Sequence, residues 1–318
     1  MAQFPTITSP VSTSETKLNV LAWSQDDIEN RFGFKGGRYT DVNQTFVFLL
    51  GTLLAGAAYA LVFFVFRPIP GLSKLATMLL RPSNQFAIIP ATIFFFVGVA
   101  ILIVKTKKVD FQKRSLALAA VPTEPDFVLT EKTAATVLAR VQELVDHPRH
   151  FVLFNRIYRA LSNLRNMGQI NDVSSILRVQ AENDEAEVAS SYTLLNGLVW
   201  GIPVLGFIGT VLGLSLAIGR FTATLQAAGD LNLIRASLEG VTSGLATAFE
   251  TTLIALSYTL ILQMGITFAQ KREMAFLDHC NDYCHSYIVS KLRLIDTQPP
   301  ATAPAAEELV DENSAQKF

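Results

Sequence analysis

Four long stretches with almost no charge constrain this chain more than any other feature. Residues 46–66 hold 21 positions without a charge and residues 86–104 hold 19. A helix rising 1.5 Å per residue needs about 20 apolar residues to cross a hydrocarbon core about 30 Å thick, so each stretch is long enough to span. Residues 188–219 are likewise uncharged, with the most apolar part at 198–218, and residues 241–263 carry one charge, Glu250. Small residues interrupt the stretches: Gly51, Ala55 and Gly56 in the first, Pro90 and Gly98 in the second. This suits close helix contact in lipid. Hydrophobic residues make up 50% of the 318 and charged ones 17%, below the roughly 25% usual in soluble domains, so too few polar residues remain to cover four such helices in water. The expected fold class is an all-α integral membrane protein with four transmembrane helices.

The rest of the chain divides around these spans. Residues 1–44 form a polar N-terminal segment without the apolar core of a cleavable signal peptide. Residues 45–104 form a transmembrane hairpin, residues 105–196 a charged helical insertion, and residues 197–270 a second pair of spans. Within the insertion Val137, Val141, Leu144 and Val145 recur at helical spacing, as do Phe154, Ile157, Tyr158 and Leu161, which predicts amphipathic helices in a plain bundle. Asn171-Asp172 before Val173 predicts a turn and the start of a helix running into the third span. Residues 271–296 continue the fourth helix beyond the membrane, and residues 297–318, rich in proline, alanine and acids, have the composition of a disordered tail.

Eleven basic residues flank the spans on the side of the termini and the insertion, among them Lys105, Lys107, Lys108, Lys271 and Arg272. Five lie on the other side: Arg67, Lys74, Arg81, Arg220 and Arg235. The excess predicts cytoplasmic termini. The first outer loop, with three basic residues and no acid, runs against that rule.

Several function classes recede. Lys plus Arg total 26 against 27 Asp plus Glu, so no basic excess tracks a nucleic acid. No phosphate-binding loop, dinucleotide fingerprint or nucleophile elbow is present, so the chain does not read as an enzyme of a familiar kind. Cys280 and Cys284 lie one turn apart, beside His279 and His285. One helix rarely closes a tetrahedral zinc site alone, so structural thiols, surface histidines and no metal or cofactor are expected.

The informative residues sit in the last two spans. Gly206, Gly209, Gly213 and Ala217 step by three, four and four, a ridge on which a neighbouring helix can approach closely; Pro203 precedes it and Thr210 lies in its middle. Oligomerisation is expected to depend on this ridge, so Gly209→Leu or Gly213→Leu should push helices apart and dissociate the assembly. In the fourth span Ser243, Thr247, Glu250, Thr251, Ser257 and Tyr258 form one polar stripe. Glu250, about ten residues in and so about 15 Å deep, reads either as an ion relay on a pore-facing stripe or as a hydrogen-bonded contact between helices.

The stretch Trp200-Gly-Ile-Pro-Val-Leu-Gly-Phe-Ile-Gly-Thr-Val-Leu-Gly-Leu214, with Gly244-Leu-Ala-Thr-Ala-Phe-Glu-Thr-Thr252 about thirty residues on, resembles the MotA/TolQ/ExbB proton channel family. The resemblance covers about residues 172–271, and the four-span layout with an insertion is similar to the MotA arrangement. It implies a homopentamer whose third and fourth helices surround a pore, enclosing the single-span helices of two copies of a partner like ExbD, TolR or MotB. Such an assembly is an inner-membrane motor driven by the proton motive force, the translocated ion being H+ or else Na+. The resemblance carries Thr210, and Thr252 with Thr251 beside it, onto threonines that line the ion route. The glutamate of ExbB-type members falls near Thr247, while here the acid is Glu250, one turn on. A nonconducting membrane scaffold and a small-solute transporter subunit are the readings from other classes.

Overall fold

Asn43 starts the first long helix by accepting, through its side-chain oxygen, from the backbone N–H groups of Thr45 and Phe46. The computed structural model describes residues 21–293 apart from 119, 123, 125, 163, 165–169 and 226–230. Two short helices, α1 (Trp23–Asp26) and α2 (Ile28–Arg31), precede that cap. Then come α3 (Gln44–Leu61), prolonged by a π turn at Val62–Phe66, α4 (Ser73–Leu80) and α5 (Gln85–Lys113). The insertion supplies α6 (Glu131–Leu144), α7 (Val152–Ser162) and α8 (Ile170–Ser191), followed by α9 (Thr193–Leu225) and α10 (Leu231–Cys284). Among the described residues β-pairing is limited to two isolated bridges.

Four helical segments are long and apolar enough to cross a membrane: Gln44–Phe66, Pro82–Ala117, Asp172–Gly219 and Leu238–Val289. The protein is a multi-pass membrane protein. In lipid there is little hydrophobic drive between helices, so packing of small residues decides their contacts. A Cβ on Gly51 of α3 would collide with the Val97 backbone of α5, and one on Gly98 would lie 2.7 Å from the Leu262 side chain of α10. The second span is thus wedged between its neighbours, with Val97 and Ile101 buried.

At the insertion end of the bundle two lysines, expected as flanking charges, are buried instead. Lys105 Nζ lies 3.3 Å from Glu273 Oε2 and donates to Ser191 Oγ at 2.8 Å. Glu273 also accepts from the hydroxyls of Thr40 and Tyr192. Burial pulls the Lys105 ammonium below the ordinary lysine range, and the facing Glu273 opposes it. One turn on, Lys108 donates to Glu29 Oε2 and to the Asp41 carbonyl, both at 2.6 Å. Glu29 in turn accepts from the Asn43 backbone at 2.7 Å. These pairs pin the segment before α3 to α5 and α10.

The helical spacing in the insertion gives α6 and α7, which bury Val137, Val141 and Leu144, and Phe154, Ile157 and Leu161. Arg156 of α7 donates through Nε to Asp184 of α8 at 2.7 Å, inside the same core. The helix expected to start at Asn171-Asp172 begins at Ile170, and a turn at Tyr192 separates α8 from α9. At the far end the helical pattern expected to about residue 294 gives way to a π turn at His285–Val289. The tail at 297–318 lies outside the described residues.

Cys280 and Cys284 are buried and unpaired, while His279 and His285 are exposed. Burial raises both thiols, Cys284 up to about 12, so neither forms the reactive thiolate at neutral pH. The native thiols therefore cannot report sidedness. Cysteines placed at the exposed positions Lys74 and Asp278 can. An impermeant maleimide added to intact cells is expected to label Lys74→Cys and spare Asp278→Cys; the reverse pattern would invert the orientation drawn from the basic residues.

Candidate functional site

The glycine ridge of α9 is occupied by α10 of the same chain. A Cβ on Gly206 would lie 2.5 Å from the Ala255 Cβ, one on Gly209 2.8 Å from Thr251 Oγ1, and one on Gly213 2.9 Å from the Gly244 carbonyl. Ala217 closes against Gly244 from the other side. Pro203 is half-buried beside the ridge, inside α9. The sequence showed the face but not its neighbour, because small-residue spacing says nothing about which helix fills it. Gly213→Leu is therefore expected to break the α9–α10 hairpin, since the obstacle is backbone, and folded subunit should be lost from detergent extracts. A stable monomer with only the ring dissociated would return the ridge to a subunit interface.

Across this seam the Thr210 hydroxyl is hydrogen-bonded to that of Thr252, and each also reaches the Gly206 carbonyl. Both threonines are half-buried, so each keeps one accessible side. Thr251 is 2% exposed, packed under Gly209 with its hydroxyl on the Ala248 carbonyl. Thr247 is buried as well, its hydroxyl 3.0 Å from Ser83 Oγ.

Glu250 has partners that sequence reasoning missed. Arg81 Nη2 lies 3.0 Å from Glu250 Oε1, and Asn84 Nδ2 donates to Oε2 at 2.9 Å. Both partners belong to the turn that leads into α5, so Glu250 stands level with the start of the second span rather than midway along it. The depth drawn from the length of the fourth stretch differs because α10 is continuous over 54 residues and runs well beyond the helix it packs on. The one available signal was the acid-free basic loop holding Arg81, which sequence reasoning treated only as a topological anomaly.

The polar stripe of α10 thus splits between surroundings. Thr247, Glu250 and Thr251 turn toward α5 or α9, and Tyr258 joins Thr92 at 3.4 Å while stacking on Phe95. Ser243 and Ser257 are exposed. On α9 the face opposite the ridge exposes Trp200, Val204, Phe207, Val211, Leu214 and Ile218, an apolar stripe of heptad spacing.

No curated protein matches this chain, and no solved structure does. A family model does match. Residues 151–279, which hold α7, α8, α9 and most of α10 and so every residue of the seam just described, match the model of the MotA/TolQ/ExbB proton channel family.

Proposed function

We propose that the protein is the pore-ring subunit of an inner-membrane motor driven by the proton motive force. In this reading it forms a homopentamer, with the exposed stripe of α9 against lipid or the next copy. Two copies of a single-span ExbD/TolR/MotB-like partner occupy the centre, and both termini are cytoplasmic. The observation that carries the reading is the Thr210–Thr252 pair on the α9–α10 seam, inside the family segment. Two linked hydroxyls, each with an open side, can pass a proton between waters or offer oxygens to Na+ where an apolar seam cannot. Thr251 and Thr247 stiffen the seam, and Glu250, tied to Arg81 and Asn84, fixes its outer end. A charge crossing 100 mV releases about 2.3 kcal/mol, so a few ions supply the work of a conformational step.

Thr210→Val with Thr252→Val keeps the volume of the seam and removes both hydroxyls. Vesicles holding the subunit and its partner are expected to lose at least about tenfold of their potential-driven flux, equivalent to about 1.4 kcal/mol in the barrier, with assembly unchanged. Wild-type flux in the double variant would remove the pair from the route. A nonconducting scaffold is the competing reading. It prevails if extraction from native membranes yields no single-span protein with an intramembrane aspartate.

A further inference from the structure

The turn between the first two spans carries Arg67, Lys74 and Arg81 with no Asp or Glu among them. It also exposes large apolar side chains next to those charges: Phe64 is 74% exposed, Leu75 56% and Ile69 42%. Charges and bare apolar groups side by side belong where hydrocarbon meets headgroups. Beneath them lies a cavity of about 540 Å³, walled by Phe63, Ala76, Thr77 and Leu80, with both Arg67 and Arg81 in its lining. Arg81 is shared with Glu250 on the opposite side. Arg67 stands over the Phe63 ring at 5.4 Å and has no carboxylate partner among the described residues. Most of the wall is apolar, so the cavity would take hydrocarbon, yet its positive charge exceeds the one acid beside it.

We propose that this cavity binds an anionic phospholipid, its phosphate between the Arg67 and Arg81 guanidiniums and the start of an acyl chain along Phe63 and Leu80. Guanidinium forks match phosphate oxygens, and the pairing is strong where water is partly excluded. A zwitterionic lipid would bring its own cation against two arginines, which selects for net negative charge. Free phosphate fits the arginines but leaves the apolar wall uncovered, so the lipid is the better occupant. The site also bears on the basic loop that runs against the charge rule: Arg67, which faces no carboxylate among the described residues, is neutralised by lipid. A bound headgroup shares Arg81 with Glu250, which joins lipid composition to the outer end of the helical seam.

The test is native mass spectrometry of the full chain in detergent, titrated with phosphatidylglycerol, phosphatidylcholine or inorganic phosphate. Phosphatidylglycerol is expected to bind with at least about tenfold preference over phosphatidylcholine, and Arg67→Gln to weaken it by a similar factor. Lys74→Gln removes the same charge outside the cavity lining and is expected to change binding less than about twofold. Equal losses in the two variants would reduce the effect to general attraction and overturn the site, as would unchanged binding in Arg67→Gln. Displacement of the lipid by millimolar inorganic phosphate would assign the arginines to free phosphate instead. Elution of each variant at the wild-type volume checks its fold, and because binding alone is read, failure here leaves the ion-conducting reading untouched.

Discussion

Reversing both charges of the Arg81–Glu250 pair is expected to restore the proton flux that reversing either one removes. Glu250→Arg places two guanidiniums where a 3.0 Å pair stood, on a side chain only 11% exposed. Breaking a fully buried pair costs about 3–5 kcal/mol; Arg81, 32% exposed, can turn partly to water, so the loss here falls below that range. That still suffices to pull this part of α10 from the turn before α5. The double variant Arg81→Glu, Glu250→Arg remakes the attraction with its poles exchanged. Glu250→Gln, which can still accept from Asn84, should lose only part of the flux. Vesicle flux measurements on the set separate the two roles of this acid. Background flux in both Glu250→Gln and the swapped pair would make Glu250 a proton carrier, because no placement of charge replaces an exchangeable carboxyl.

Glu273→Leu is expected to prevent folded protein from accumulating. The change strands Lys105, 1% exposed, with no counter-charge, and leaves the Thr40 and Tyr192 hydroxyls without their acceptor. Removing one partner of a buried pair costs about 3–5 kcal/mol, a large part of the roughly 5–15 kcal/mol that holds most domains folded. Lys105→Met together with Glu273→Leu should recover most of the loss, since an apolar pair of similar volume fills the site without an unpaired charge. Thermal unfolding in detergent checks the order: wild type at or near the double variant, Glu273→Leu far below. A single variant as stable as the wild type would mean that water already reaches this site.

These two clusters mark the boundary of what the sequence discloses. Lipid forces apolar runs of a fixed length, so the four spans could be found from composition along the chain. Helical spacing likewise disclosed α6, α7 and the ridge from Gly206 to Ala217, because each depends on neighbours within a turn or two. Lys105 and Lys108 looked like ordinary flanking charges, and only the packing of residues 29–43 and 273 against them makes them core residues. Arg81 and Asn84 lie 169 and 166 positions from Glu250, a distance over which one sequence carries no pairing signal. The threonines were located through a motif, and their mutual hydrogen bond through the structure alone.

The 54 residues of α10 contain no proline, whereas α9 has Pro203 within it. At 1.5 Å per residue α10 is a rod about 80 Å long. α10 touches α9 at Ala255 against Gly206, which leaves 29 residues, about 44 Å, as the arm from that contact to Cys284. Each degree of tilt about that contact therefore sweeps the far end through about 0.8 Å, enough over a few degrees to slide one side chain past another. That end is packed on α7 and α8. Angular motion begun beside Thr252 would reach the helical insertion as a translation, enlarged by lever geometry alone.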